Sequence, residues 1–152
     1  MKQTVAILTA TTFLGLLITS HAIAQRGPGR RGGGGWGPGA GYGRMYDPKT
    51  VETLKGEVVG VEQFTPQKGM SPGVHLQLQT DKEKISVHLG PAWYIDRQEV
   101  ELAKGDRIEV KGSRVSFEGK PAVIAAEVRK GDETLTLRDS SGFPVWSGWR
   151  RR

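Results

Sequence analysis

Apolar and polar residues alternate along short runs from residue 54 onward, and turn-forming residues separate the runs. Period-two alternation is typical of β-strands that bury one face. The pattern predicts strands over residues 54–64, 74–79, 85–89, 106–115, 122–130 and 133–138. Residues 92–104 are predicted to form the one helix, which Gly105 ends. The chain is therefore predicted to be all-β, with a short helix between strands three and four.

The second and third predicted strands can be aligned through their shared alternation. If their loop is centred between Asp81 and Lys82, the apolar face pairs Val74 with Leu89, Leu76 with Val87 and Leu78 with Ile85. The other face then pairs His75 with His88, Gln77 with Ser86 and Gln79 with Lys84. This register predicts an interior of Val, Leu and Ile and a polar outer face from which both histidines point to solvent.

Glycines in the first and fourth predicted strands, Gly56, Gly60 and Gly112, mark places where a small sheet can bend or bulge. Residues 104–112, KGDRIEVKG, resemble the fourth strand of bacterial OB-fold domains, and residues 122–128 resemble the fifth. With the leader described next, the plan is similar to the exported bacterial OB-fold families. The resemblance implies a five-to-six-stranded OB-type Greek-key barrel over residues 47–138 and, by analogy only, a ligand-binding or accessory role.

The first 24 residues have the features of a signal peptide. Lys2 precedes a 14-residue apolar stretch, residues 5–18, and Ala22-Ile23-Ala24 has the small-x-small pattern of a cleavage site. The stretch is shorter than the roughly 20 residues that span a bilayer. We therefore expect cleavage after Ala24, no transmembrane segment in the mature chain, and a periplasmic or secreted location.

The absence of cysteine from the 152 residues excludes several chemistries. Disulfides, thiol nucleophiles and covalently attached c-type haem all need this residue. No nucleophile elbow, phosphate-binding loop or zinc-protease motif is present either. The sequence therefore predicts neither an enzyme nor a resident cofactor.

The formal charge of +6 is concentrated at the two ends of the chain. Residues 47–149 hold 14 Lys and Arg against 16 Asp and Glu, so the central part is slightly acidic. Residues 25–46 are rich in Gly and Arg and are predicted to form a disordered arm. Residues 139–152 are predicted to form an aromatic and basic tail. The candidate contact residues of these arms are Arg26, Arg30, Arg31, Trp36, Trp146, Trp149, Arg150, Arg151 and Arg152.

Three hypotheses for function follow from these features. The leading one is a non-catalytic extracytoplasmic module that recruits a protein or an anionic partner, a membrane surface included, through its arms and outer sheet face. The residues of that face are His75, Gln77, Gln79, Lys84, Ser86 and His88. The second is a protein that binds single-stranded DNA. The third is a metal-linked or redox-accessory protein that uses His75 and His88, which would need further ligands.

Overall fold

The computed structural model describes residues 35–147. Its strands are β1 (Val51–Phe64), β2 (Gly73–Gln79), β3 (Lys84–Pro91), β4 (Arg107–Phe117), β5 (Lys120–Lys130) and β6 (Glu133–Thr136). One helix, α1 (Ala92–Ile95), follows β3, and three 3-10 turns span Gly43–Met45, Pro48–Thr50 and Val145–Ser147. The predicted all-β class, with little helix placed between the third and fourth strands, is confirmed.

Five of the strands close into a ring in the order β1-β2-β3-β5-β4, and β6 extends the sheet from β5. Neighbouring strands are antiparallel except β3 and β5, which pair in parallel over three residues. The ring interior is filled by apolar side chains that alternate along the strands. Those with no exposed surface include Val58, Leu76, Leu78, Val87 and Val110. Burial of these side chains is the main source of stability for such a small sheet.

The predicted register of β2 and β3 is confirmed for five of the six pairs, His75 opposite His88 among them. The exception is Val74, which lies opposite Gly90 because the register shifts by one residue beside it. Bulges also occur at Gly60 in β1 and Gly112 in β4, where the sheet must bend. A side chain at Gly112 would collide with the carbonyl of Ile124, so the close approach of β4 and β5 requires glycine there.

The helix after β3 is much shorter than the predicted one over residues 92–104. It ends at Ile95, and no regular structure follows before β4. Val100 and Leu102 are two residues apart and both pack against the core. An extended segment places residues at that spacing on one side, whereas a helix would place them on different sides. Contact with the core therefore favours the extended form.

The N-terminal segment contradicts the prediction of a disordered arm in the part that the structure describes, residues 35–46. Trp36 and Tyr42 are each only 1% exposed and belong to the core. The Trp36 indole donates a 2.9 Å hydrogen bond to the carbonyl of Ser71 and fills space left open by Gly73. The Gly-rich composition was misleading because two large rings bury enough surface to hold the segment. Residues 25–34 lie outside the described part.

The C-terminal segment is also packed as far as Ser147. Trp146 is 3% exposed, so its ring packs against the domain and does not belong to a free tail. Its ring lies 5.0 Å from the guanidinium of the buried Arg138, which also lies 5.6 Å from the ring of Tyr46. These cation-π contacts join the two ends of the described chain. Within residues 35–147, no helix has the length and apolar character needed to cross a bilayer. The predicted signal peptide, residues 1–24, lies outside that range.

Candidate functional site

His75 lies on the outer face of β2, as predicted, but it is mostly covered. Its side chain is 16% exposed, and its Nε2 lies 2.9 Å from a carboxylate oxygen of Glu62 on β1. Its Nδ1 shares a 3.2 Å hydrogen bond with the hydroxyl of Ser86 on β3. The ring of Phe64 stacks on the imidazole at 4.6 Å. Both ring nitrogens of His75 are therefore already engaged.

His88 is buried, and the prediction that it points to solvent is wrong. The residue is 1% exposed, and its Nδ1 shares a 2.8 Å hydrogen bond with the hydroxyl of Tyr42. Phe64 and Phe117 lie 4.5 and 4.8 Å from its ring. Burial, with a smaller contribution from the nearby His75, lowers the pKa of His88 to about 3. The imidazole is therefore neutral at physiological pH.

A second layer of aromatic rings explains the burial of this histidine. Rings from the N-terminal segment and from the ends of β1 and β4 pack over the outer face of β2 and β3. We call this set the aromatic cluster: Trp36, Tyr42, Phe64, His75, His88 and Phe117. Of the large apolar side chains in residues 35–147, only Val61 and Phe143 are exposed, and neither belongs to the aromatic cluster. This face therefore offers no exposed ring on which a base could stack.

The rest of the predicted binding face is a narrow polar strip. Gln79 and Lys84 are exposed at the end of β2 and the start of β3, while Gln77 and Ser86 are half-buried between them and the cluster. The paired strands therefore bring these four residues together, and Gln79 also lines the groove of about 1020 Å³ at one end of the ring. No group of three His, Asp or Glu side chains within residues 35–147 is arranged to hold a metal ion.

One end of the ring is closed by an ion-pair cluster centred on Arg114. Its Nε donates a 2.6 Å hydrogen bond to Glu52, and its other guanidinium nitrogens contact the carboxylate of Glu83. The hydrogen bond from Arg114 lowers the pKa of the Glu83 carboxyl. A groove of about 1020 Å³ runs beside this cluster, with five acidic and five basic side chains along it. Its balanced charge selects for neither sign of ligand.

A second groove, of about 450 Å³, lies between β1, β2 and the extended segment that follows α1. Its base and walls are apolar: Val61, Val74, Leu76, Leu89, Ile95, Val100 and Leu102. Val61 is 43% exposed, although it is paired with the fully buried Leu76. Part of the inner face of the sheet is therefore open to solvent at this position.

The edge of this second groove is acidic. Glu62, Asp96 and Glu101 line it together with Gln63 and Gln98, and no Lys or Arg side chain does. We call this site the acidic groove. Its apolar base favours a large apolar side chain, and the carboxylates of Asp96 and Glu101 favour cations beside that side chain. The carboxylate of Glu62 is instead bonded to His75 on the outer face. The groove therefore suits a basic, partly apolar segment better than an anionic ligand.

The model of the MamS/MamX magnetosome protein family matches residues 50–135. This span is more than half of the chain. The chain belongs to that family. Membership of a bacterial family, the coarser part of the predicted resemblance, is thereby confirmed. No curated protein matches the chain.

The match to the MamS/MamX family covers all strands of the ring and most of β6. The acidic groove lies within the matched span, because its lining runs from Val61 to Ala103. Trp36 and Tyr42 lie outside the span, whereas Phe64 and Phe117 lie within it, so the aromatic cluster combines rings of the matched region with rings of the preceding segment.

Sequence reasoning about this MamS/MamX family member missed the acidic groove. Residues 96–103 were predicted to be helical, and a helix would not have left Val100 and Leu102 along one wall. Their two-residue spacing was the available signal. The predicted arm residues Arg26, Arg30, Arg31, Trp149, Arg150, Arg151 and Arg152 lie outside the described residues.

Proposed function

We propose that this protein is a non-catalytic binding module of the MamS/MamX magnetosome protein family that recruits a basic polypeptide through the acidic groove. The family description associates its members with the magnetosome. The proposed accessory role is to bind a partner protein at that location. The proposal retains the sequence-based hypothesis that the protein recruits a protein partner. It moves the contact surface from the outer face to the opposite face of β1 and β2.

The ring of strands supports an OB-type Greek-key barrel as the scaffold. Five strands in the order β1-β2-β3-β5-β4, with β3 and β5 parallel, match the plan of a small closed barrel with one helix between β3 and β4. In such folds, the loops and strand faces vary while the ring is retained. The scaffold is thus compatible with many ligands, and the ligand must be inferred from the site.

The leader supports an extracytoplasmic location, either periplasmic or secreted. Lys2, the apolar stretch and the Ala22-Ile23-Ala24 sequence are arranged as a secretory signal requires. In that location the mature domain would depend on packing alone for its stability, since it contains no cysteine for cross-links.

The observation that carries the proposal is the combination of an exposed apolar base with the acidic residues Asp96 and Glu101 beside it. Val61 would be buried by an apolar side chain of the partner, which stabilises a complex in proportion to the apolar area removed from water. The carboxylates of Asp96 and Glu101 would attract basic side chains and repel acidic ones. Affinity and charge selection would therefore come from the same site.

Binding to defined peptides tests this function. We would measure the fluorescence anisotropy of a labelled peptide of Leu, Trp and Arg, of a matched peptide with Glu in place of Arg, and of a single-stranded oligonucleotide. The basic peptide should bind, and added salt should weaken it. Val61→Lys should raise its Kd about tenfold or more, because it places a like charge in the apolar base.

The control is Asp81→Lys, in the exposed loop between β2 and β3, which raises the net charge by two units whereas Val61→Lys raises it by one. It should leave the Kd within about twofold. Equal affinity of the Val61→Lys protein and the unchanged protein would contradict the proposal. Preference for the oligonucleotide would instead favour the nucleic-acid hypothesis.

A further inference from the structure

The chain itself contains a segment with the chemistry that the acidic groove selects. Five residues follow Ser147, namely Gly148, Trp149, Arg150, Arg151 and Arg152. They provide one large apolar ring and three permanent cations. The groove provides an apolar base and the carboxylates of Asp96 and Glu101. Charge and hydrophobic character are thus complementary between the two.

The tail begins beside α1, whose last residue, Ile95, lines the groove. The ring of Trp146 lies 5.4 Å from that of Tyr94 in α1, and its Nε1 donates a 2.9 Å hydrogen bond to the carbonyl of Trp36. The next two residues after Tyr94, Ile95 and Asp96, line the groove. Buried Trp146 therefore fixes the start of the tail at the element that forms one wall of the groove.

The number of residues in the tail limits how far it can reach. An extended chain advances by about 3.3–3.6 Å per residue, so five residues reach about 17 Å. A tethered segment that can reach its site is present at an effective concentration in the millimolar range. Even a weak intrinsic affinity between Trp149 and the apolar base would then produce substantial occupancy.

We propose that the C-terminal residues 148–152 occupy the acidic groove of their own chain, with Trp149 on the apolar base beside Val61 and the arginines against Asp96 and Glu101. This inference rests on the proposed function, because it uses the same groove. The tail would be an internal competitor, and a partner polypeptide would have to displace it. Recruitment would then be autoinhibited, and partners with higher positive charge or larger apolar side chains would be favoured.

The absence of cysteine allows a direct test. In protein produced from the full-length gene, Val61→Cys introduces a single thiol in the groove, and its rate of modification by uncharged iodoacetamide reports access. Ending the chain after Ser147 should raise that rate about fivefold. This factor is expected if the tail occupies the groove about four-fifths of the time, because only the remaining fifth of the molecules then expose the thiol. Trp149→Ser together with Arg150→Ser, Arg151→Ser and Arg152→Ser should have the same effect at unchanged length.

The control thiol is Asp81→Cys, in the exposed loop between β2 and β3, whose modification rate should not depend on the tail. An unchanged Val61→Cys rate after truncation would overturn the proposal. Protection that increases with protein concentration would also overturn it, because a second copy would then be the source of the tail. If the thiol of Val61→Cys stays protected after truncation and becomes accessible only when Arg26, Arg30 and Arg31 are replaced, the N-terminal arm and not the tail occupies the groove.

A peptide added in trans separates this proposal from the function on which it rests. A labelled peptide with the sequence of residues 147–152 should bind the truncated protein more tightly than the full-length protein, about fivefold in Kd. If truncation has no effect but the basic Leu, Trp and Arg peptide still binds in a Val61-dependent way, the tail placement is wrong and the proposed function stands. If neither peptide binds, both the tail placement and the proposed function are wrong.

Discussion

The two faces of the sheet formed by β1, β2 and β3 differ in what covers them. On one face, His75 and His88 are polar, yet the aromatic cluster covers them and His88 is almost fully buried. On the other face, Val61 is apolar and paired with buried Leu76, yet it is 43% exposed in the acidic groove. The polar face is closed and part of the apolar face is open.

What covers each face accounts for the difference. Trp36 and Tyr42 come from a segment before β1 and add a second hydrophobic layer over the histidines. The segment after α1 passes beside Val61 without covering it. Burial is therefore set by the segments that pack on a strand as much as by the polarity of the strand residues. An apolar groove that no segment covers is the better indication of a binding site.

The largest expected effect is on the covered face. Trp36→Ala removes a buried indole and leaves a cavity, so it should lower the free energy of unfolding by about 3–5 kcal/mol. Urea unfolding measures this. Phe143→Ala, at a residue that is 45% exposed, is the control and should stay within about 0.5 kcal/mol. A loss below about 1 kcal/mol for Trp36→Ala would show that the N-terminal segment is not part of the core.

A smaller effect is expected at the hydrogen bond beneath that indole. Tyr42→Phe keeps the ring but removes the hydroxyl bonded to Nδ1 of buried His88. Leaving a buried polar atom without its partner should cost about 1–3 kcal/mol of unfolding free energy. Tyr46→Phe is the comparison, since it preserves the ring beside Arg138. If the two variants are equally stable, the buried hydrogen bond contributes little.

The third effect depends on pH. The pKa of His88 is lowered in the folded protein to about 3, and the ordinary value is 6.5. Between these values the unfolded chain binds the additional proton, so stability is complete above pH 6.5 and decreases as pH falls. From pH 6.5 to 5.5 the expected loss is about 1 kcal/mol.

Comparison with His88→Gln isolates this contribution from the groups around it. His75 and Glu62 lie on the same face, and Tyr42 packs against His88 from the N-terminal segment. All three remain in the variant. Urea unfolding at both pH values should therefore give a shallower pH dependence for His88→Gln. Identical slopes for the two proteins would mean that His88 is not the group responsible.

The smallest effect on stability is expected on the open face. Val61→Lys places its charge in solvent and should change the free energy of unfolding by no more than about 0.5 kcal/mol, while the Kd for the basic peptide rises as described above. Thermal and urea unfolding provide the first measurement and anisotropy the second. Destabilisation as large as that of Trp36→Ala would mean that the groove is closed core rather than a binding site.

Much of the ring was predictable because it depends on local rules. The alternation of Leu76 and Leu78 with Gln77 required one face inward, and this fixed the pairing of His75 with His88. Glycine at residue 112 indicated a bend, and a bulge lies there. The extended segment at Val100 and Leu102 was missed, because residues 92–104 were predicted to form a helix that Gly105 ends.

The sequence by itself determined the strands, the register of β2 and β3, and the concentration of positive charge at the chain ends, because all three depend on residue type and spacing along the chain. Only the tertiary structure decided that His88 is neutral and buried and that Val61 is open to solvent. These outcomes depend on contacts with residues distant in sequence, such as Tyr42 against His88. The free energy of such contacts is set by the packing of whole side chains, which alternation along one strand does not encode.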